Sequence, residues 1–354
     1  MSSAPSISVI IPMFNADETI RNTLTSITKQ QFDGEILVVN DGSTDGGPSI
    51  VKDMRKQDAR IKLINLGKNS GHGPARNAGI ETAASEYLVF VDADDQLLPG
   101  AIENLQLALQ SERADLYFLN CLEEKKSGLR EITDRDLLSM LANSPIPHTE
   151  ESCPKVLIWP AATWAKAYRR DFIIDSGIRF PPGFHQDIPW SALTTLRANS
   201  IRAVEQPFYR YARRGPGSST TTIVSPKTLA RSEQVALLRR SVNFDALERQ
   251  VVEYLVANAI VHLLWGLLAA YRTVPEDFHE KHFAQSAAEL KLWLIYGVPK
   301  KRVRTEPLFP TSERIFLTKA LAQGEHKKWT RAVAELQRRR TWKRRLDLSR
   351  YRKK

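Results

Sequence analysis

The feature that most constrains this chain is Tyr87-Leu88-Val89-Phe90-Val91-Asp92-Ala93-Asp94-Asp95, five apolar residues running into three carboxylates within four positions. An uninterrupted apolar run of this length predicts a buried central strand of a parallel sheet. Ligands of such sheets bind beyond the carboxyl ends of the strands, where the acidic cluster falls. Crowded carboxylates repel one another, so a cation is expected among them, a hard divalent metal above all. Capping of the next helix is the competing reading. That helix is expected from Pro99 to about Leu109, too far downstream for all three acids to cap it. An EF-hand is excluded, because Gln96 and Leu97 break the ligand order such a loop needs.

The rest of the chain sets bounds around that strand. With 354 residues, 42% of them hydrophobic, it can build one mixed domain of ordinary size plus a smaller unit. Two cysteines, Cys121 and Cys153, give neither a disulfide framework nor metal spacing, which fits a reducing cytosol. The N-terminus lacks the basic and apolar regions of a signal peptide. Residues 327–354 carry 13 Lys or Arg against 2 Asp or Glu, a surplus equal to the net charge of +11 of the whole chain. Any nucleic-acid reading must therefore rest on that tail and not on the overall pI.

Strands and helices alternate through the first two-thirds. Strands are expected at 7–11 (stopped by Pro12), 35–39, 61–66 and 87–91. Helices are expected from 17 or 18 to about 29, at 48–57 and at 75–84. This spacing implies right-handed crossovers and a doubly wound α/β sheet. Each strand ends in turn-forming polar residues: Pro12-Met13-Phe14-Asn15, Asp41-Gly42-Ser43, the stretch 69–77, and the acidic triplet. Singly these are ordinary turn chemistry. Four in succession on one edge offer a base-reading carboxylate, backbone donors, an arginine for phosphate and carboxylates for metal. The stretch Gly71-His72-Gly73-Pro74-Ala75-Arg76 half-matches a dinucleotide fingerprint. Arg76, however, occupies the third glycine position, where close packing demands a small residue. No P-loop sequence is present.

These motifs, in this order, resemble those of the family 2 glycosyltransferases, and the similarity runs from about residue 7 to residue 222. The resemblance implies an inverting enzyme of the GT-A fold, mostly parallel in its central sheet, followed here by a helical region. It implies a nucleoside-diphosphate sugar as donor, a UDP-sugar foremost, and Mg2+ or Mn2+ as cofactor. The nucleotide-sugar contacts it implies are Pro12, Phe14, Asn15, Asp41, Asn69, Gly71, Arg76, Asp92, Ala93 and Asp94. Asp41 would read the nucleobase, and Asp92 with Asp94 would meet the ribose and the diphosphate-bound metal. The later motifs are Trp164-Ala165-Lys166-Ala167-Tyr168-Arg169-Arg170, Gly177-Ile178-Arg179-Phe180-Pro181 and His185-Gln186-Asp187. By the same resemblance Asp187 is the general base. Gln186 stands where the family usually has Glu, which bears on acceptor orientation more than on the reaction, since one carboxylate suffices to take the acceptor proton. The alternative for Asp187 is a helix N-cap. The stretch 209–220 resembles the family's flexible loop, so Arg213 or Arg214, together with Ser218, would close over the diphosphate. His72, without a partner at ligand spacing, is left out of the site. His185 is retained as a diphosphate contact because it adjoins Asp187.

From about residue 225 the pattern becomes helical, with helices expected at 226–243 and 244–271. Residues 254–271 carry no formal charge and are just long enough to span a membrane. Asn258, His262 and Gly266 recur at four-residue spacing, which favours a buried or dimer-forming helix. The expected division is 1–224, 225–326 and a basic tail at 327–354. Trp329, Trp342 and Tyr351 interleave with the tail's cations, which suits an anionic membrane surface. The acceptors implied are a cell-surface glycan, a polyol phosphate or a lipid-linked sugar. The localisation expected is cytoplasmic, peripheral on the inner face of the cell membrane, with a homo-oligomer formed through the helical region. Two other classes compete. A nucleotidyltransferase needs a glycine-rich loop after its first strand, which Pro12-Met13-Phe14-Asn15 is not. A retired glycan-binding module is disfavoured by the intact Asp41, Asp92, Asp94 and Asp187.

Overall fold

The computed structural model describes residues 4–125, 127–143, 146–147, 156–157, 162–212, 230–273, 277–297, 299 and 311–338. The chain divides into two compact units, residues 1–222 with 240–242, and 223–239 with 243–354.

The first unit opens with β1 (Ile7–Met13), α1 (Ile20–Thr28), β2 (Gly34–Asn40), α2 (Gly47–Arg55), β3 (Ile61–Asn65), α3 (His72–Thr82) and β4 (Tyr87–Phe90). It continues with β5 (Gln96–Leu97), α4 (Ala101–Ser111), β6 (Leu116–Lys125), β7 (Gly128–Glu131), α5 (Arg135–Asn143) and β8 (Ile146–Pro147). It closes with β9 (Lys166–Arg169), α6 (Arg170–Asp175), α7 (Asp187–Arg197) and β10 (Ser200–Tyr211). The sheet runs β3-β2-β1-β4-β9-β6-β10-β5, with β7 on β6 and β8 on β10. β1, β2, β3 and β4 pair in parallel, and so do β6 and β10. β9 is inserted antiparallel between β4 and β6. The α/β, mostly parallel GT-A architecture expected from the motifs is the one found.

Alternation along each strand divides its side chains between two cores, as a period of two requires. Ile7, Val9, Ile11, Ile36, Val38, Tyr87 and Val89 face one layer. Ile10, Leu37, Val39, Leu88 and Phe90 face the other. With both faces covered, the strands read as unbroken apolar runs.

Several boundaries shift by a few residues, α3 starting at His72 where 75 was expected, and the end of β1 differs for a definite reason. Pro12 does not stop β1, which continues to Met13 and pairs Pro12 with Val39. The carbonyl of Ile10 accepts from the Val91 N–H, so Ile10 bonds on the β4 side. Pro12, two residues on, faces the same side, and β4 has already ended there. The missing proline N–H therefore costs no ladder bond.

The second unit contains α8 (Ala230–Arg240), α9 (Arg249–Thr273), α10 (Asp277–Leu294), α11 (Thr311–Ala322) and α12 (His326–Arg338). Within α9, residues Arg249–Leu268 are long and apolar enough to cross a membrane, yet 94% of that window is buried inside the structure. Its polar stripe is used internally. Arg231 of α8 lies 3.4 Å from the His262 ring, and its side chain fills the space beside Gly266. Trp329 was expected to face a membrane. It is instead fully buried near Phe283, while Lys327, Lys328 and Arg331 on the same helix stay exposed.

Candidate functional site

The carboxyl ends of β1, β2, β3 and β4 share one edge, and the loops there are tied together by side chains. After β1, Asn15 adopts a positive φ of 47°. Its N–H donates to Ser43 Oγ at 3.0 Å, and its Oδ1 accepts from the Thr44 N–H at 2.9 Å. Asp45 Oδ2 accepts from the Asp17 N–H at 2.8 Å. The loops after β1 and β2 thus lock together, leaving Phe14 exposed beside them.

Asp41 is 2% exposed, and both its oxygens are engaged. Oδ1 accepts from the Ser70 N–H at 2.8 Å and Oδ2 from the Gly71 N–H at 2.7 Å. Asn69 Oδ1 also accepts from Gly71 N–H, at 3.2 Å. Gly71 has φ +93°, a conformation that disfavours any side chain, and it is the N-cap of α3. In this structure Asp41 shapes the loop that carries Asn69 and Gly71 and starts α3.

α3 presents Arg76 on its inner face, 5% exposed. Arg76 Nη2 donates to Asp92 Oδ1 at 2.8 Å, and the guanidinium lies 5.4 Å over the Phe180 ring. The imidazole of His72, one turn earlier, is within electrostatic reach of Arg76, Asp92 and Asp41. His72 was left out on spacing alone; the structure places it among the expected contacts.

The acidic cluster splits by burial. Asp92 and Asp94 are partly exposed, whereas Ala93 and Asp95 are buried. The Asp95 N–H donates to the Asp92 carbonyl at 3.0 Å, closing a turn. From α1, the Thr23 hydroxyl donates to the Ala93 carbonyl at 2.9 Å. Tyr209 holds the other side: its hydroxyl accepts from the Asp92 N–H at 3.1 Å and donates to Asp95 Oδ2 at 2.7 Å. Asp95 Oδ1 accepts from the Ala212 N–H at 2.8 Å. Burial, followed by the negative charges of Asp92 and Asp94, pushes the Asp95 carboxyl up to about 8. None of the three acids caps α4, whose N-cap is Gly100. Tyr209 brings β10 to the cluster through the antiparallel pairing of β10 with β5, a long-range contact no local pattern announces.

The later motifs converge on the same edge. Asn77 of α3 exchanges two hydrogen bonds with the Phe180 backbone, each 2.9 Å. A Cβ on Gly73 would sit 2.4 Å from the Pro181 carbonyl, so only glycine lets these segments meet. Phe180 stacks on Trp190 of α7 at 3.7 Å. Asp187 is the first residue of α7, partly buried. The N-cap position belongs to Gln186, so Asp187 is not the cap. Its electrostatic neighbours include Lys166 and Tyr168 of β9. His185 precedes it with φ 60°. Arg213, Arg214 and Ser218 lie outside the described residues, as do Trp342, Tyr351 and Cys153.

Among the described residues no three His, Cys, Asp or Glu side chains form a metal shell of protein groups alone. The pair Asp92 and Asp94 nevertheless has the right chemistry. They are hard oxygen donors, partly exposed, and their negative charges add to burial in raising Asp95.

Comparison with known proteins points to one family. Residues 8–175 match the sequence model of Glycosyl transferase family 2. Residues 8–175 of the first unit are thus similar to the family 2 glycosyltransferases. Among curated relatives, the uncharacterized glycosyltransferase YibD of Escherichia coli K12 is 34% identical over 217 residues, covering 60% of this chain and 62% of that protein. A GalNAc(5)-diNAcBac-PP-undecaprenol beta-1,3-glucosyltransferase of Campylobacter jejuni is 39% identical over 128 residues, 35% of this chain and 41% of its own. This chain thus spans about three-fifths of the length of the first of these relatives and less of the second. Among solved structures, S. aureus TarS 1-349 in complex with UDP-GlcNAc superposes with a TM-score of 0.72 at 21% identity, covering 92% of this chain and 90% of that one. At that identity the likeness establishes a shared fold.

Proposed function

We propose that this protein is an inverting family 2 glycosyltransferase that moves a sugar from a nucleoside-diphosphate sugar to a hydroxyl of a cell-envelope acceptor. The observation that carries the reading is the Arg76–Asp92 ion pair, which ties the α3 loop ordered by Asp41 to the acidic loop holding Asp94. A cation for phosphate and carboxylates for a metal meet at one sheet edge, and Arg76 and Asp187 both act electrostatically on Tyr168 of β9. The UDP-GlcNAc bound to the TarS fold supports a UDP-sugar as donor. The undecaprenol-linked acceptor in the name of the Campylobacter relative supports a lipid-linked or related envelope acceptor, a glycan or polyol phosphate included.

In this reading Asp41, with Asn69 and the loop around Gly71, positions the nucleoside, Asp92 with Asp94 meets the ribose and the diphosphate-bound metal, and Arg76 faces the phosphates. Mg2+ or Mn2+ held by Asp94 and Asp92 would neutralise charge on the departing diphosphate when bound with the donor. Asp187 takes the proton from the acceptor hydroxyl as that oxygen attacks the anomeric carbon. Arg213 or Arg214 and Ser218, which lie outside the described residues, would contact the diphosphate as the family resemblance implies. The basic tail brings the enzyme to the anionic inner face of the membrane, near a lipid-linked acceptor.

The test is slow donor hydrolysis across a panel of nucleotide sugars with Mn2+, in the wild type and in Asp187→Asn. One donor should be consumed, and the variant should lose turnover by roughly 10² to 10⁴ with donor affinity nearly unchanged. Consumption of no sugar nucleotide would exclude the reading. Turnover preserved in the variant would place the base elsewhere.

A further inference from the structure

Among its described residues the first unit buries a lysine that the proposed reaction does not use. Lys166 of β9 is fully buried, and its ammonium lies over the ring of Phe118, its register partner on β6, at 5.0 Å. Its Nζ donates to Ser191 Oγ at 2.6 Å. A buried ammonium is costly unless hydrogen-bonded and paired with an anion. The anion acting on it is Asp187. Asp187 and Ser191 are four residues apart on α7 and therefore share one helix face, so a single ammonium addresses both. The other groups facing Lys166 are the buried Cys121 thiol and the Phe118 ring, both on β6.

We propose that Lys166 is a positioning residue for Asp187: its buried ammonium keeps that carboxylate ionised and, through Ser191, fixes the helix face that carries it. The proposal rests on Asp187 being the base. The ammonium supplies a counter-charge to an Asp beside a buried aromatic cluster, and Gln186, standing where the family usually has Glu, adds no like charge to oppose ionisation. Burial lowers the Lys166 pKa to about 7 and Asp187 opposes that fall, so the two charges are coupled in both directions. Cys121, whose thiol burial pushes well above its ordinary range, stays neutral and does not compete as the counter-ion.

The experiment follows the coupling directly and needs no acceptor. In protein labelled with 13C at aspartate carboxyls, Asp187 is assigned by its loss in Asp187→Asn. Its titration midpoint is then compared between wild type and Lys166→Met. Removing the ammonium should raise the midpoint by about 1 pH unit or more. Linkage demands the reciprocal effect, so Asp187→Asn should lower the Lys166 midpoint, read from 13Cε-lysine, by a similar amount. This second measurement stands even if Lys166→Met does not fold. The pH profile of donor hydrolysis should move with Asp187 in Lys166→Met, while KM for UDP-GlcNAc stays unchanged. Unmoved midpoints in both directions overturn the proposal even if Asp187→Asn is inactive. Coupled midpoints with full turnover in Asp187→Asn support the ion coupling and remove instead the reading of Asp187 as base.

Discussion

At the residue scale, the site is held by hydrogen bonds aimed at backbone, and the sequence shows only half of each. Asp41 was legible as a polar residue at a strand end, but its grip on Ser70 and Gly71 depends on a loop 29 or more residues away. Lys166 was legible only as part of a motif; nothing local says that it is buried. Its lowered pKa gives a stability prediction. The unfolded chain protonates this lysine near its ordinary value, whereas the folded one gives up the proton near 7. Between those limits the unfolded state binds more protons, so stability rises with pH across about 7 to 10. The slope contributed is at most about 1.4 kcal/mol per pH unit. Urea unfolding at pH 7.5 and 9.5 should show this rise in the wild type and a smaller one in Lys166→Met. Parallel curves for the two proteins would contradict it.

At the element scale, the strand–helix alternation was readable because each strand is buried on both faces and each crossover is local. β9 and β10 were not, since their partners β4, β6 and β5 are chosen by long-range pairing and not by any periodic pattern. The end of β1 was misjudged because a proline's cost depends on whether a neighbouring strand is still present. α3 is the element that positions Arg76, and Gly79 sets its depth. A Cβ there would lie 2.3 Å from Ile10 Cγ2. In an exposed helix Gly→Ala gains about 1 kcal/mol. Here overpacking against β1 costs about 1–3 kcal/mol, and the clash should win. Gly79→Ala is expected to lower the thermal midpoint and weaken UDP binding together, as α3 lifts from the sheet. A midpoint equal to or above the wild type's would show that Ile10 yields without cost.

At the scale of the whole molecule, charge is separated from chemistry. The surplus of 11 positive charges lies in residues 327–354, leaving the remainder balanced. α12 shows why the tail cannot be treated as one unit: Trp329 is buried, so truncation at residue 326 would strip packing from the second unit. The chain truncated after Arg338 keeps that packing and loses most of the cations. It should no longer float with anionic liposomes, while keeping donor hydrolysis. Full-length flotation should weaken as salt screens the cations. Equal flotation of both forms would move any anchor away from residues 339–354.

In the proposed function, the edge where Asp41, Arg76, Asp92 and Asp94 meet binds a nucleoside diphosphate with metal assistance. Calorimetric titration of UDP into wild type and Asp94→Ala, each with and without Mn2+, tests it most directly. The wild type should bind UDP more tightly when Mn2+ is present, and Asp94→Ala should lose that enhancement, because a carboxylate expected to hold the ion is gone. An equal Mn2+ enhancement in Asp94→Ala, or no UDP binding by the wild type under either condition, would contradict it.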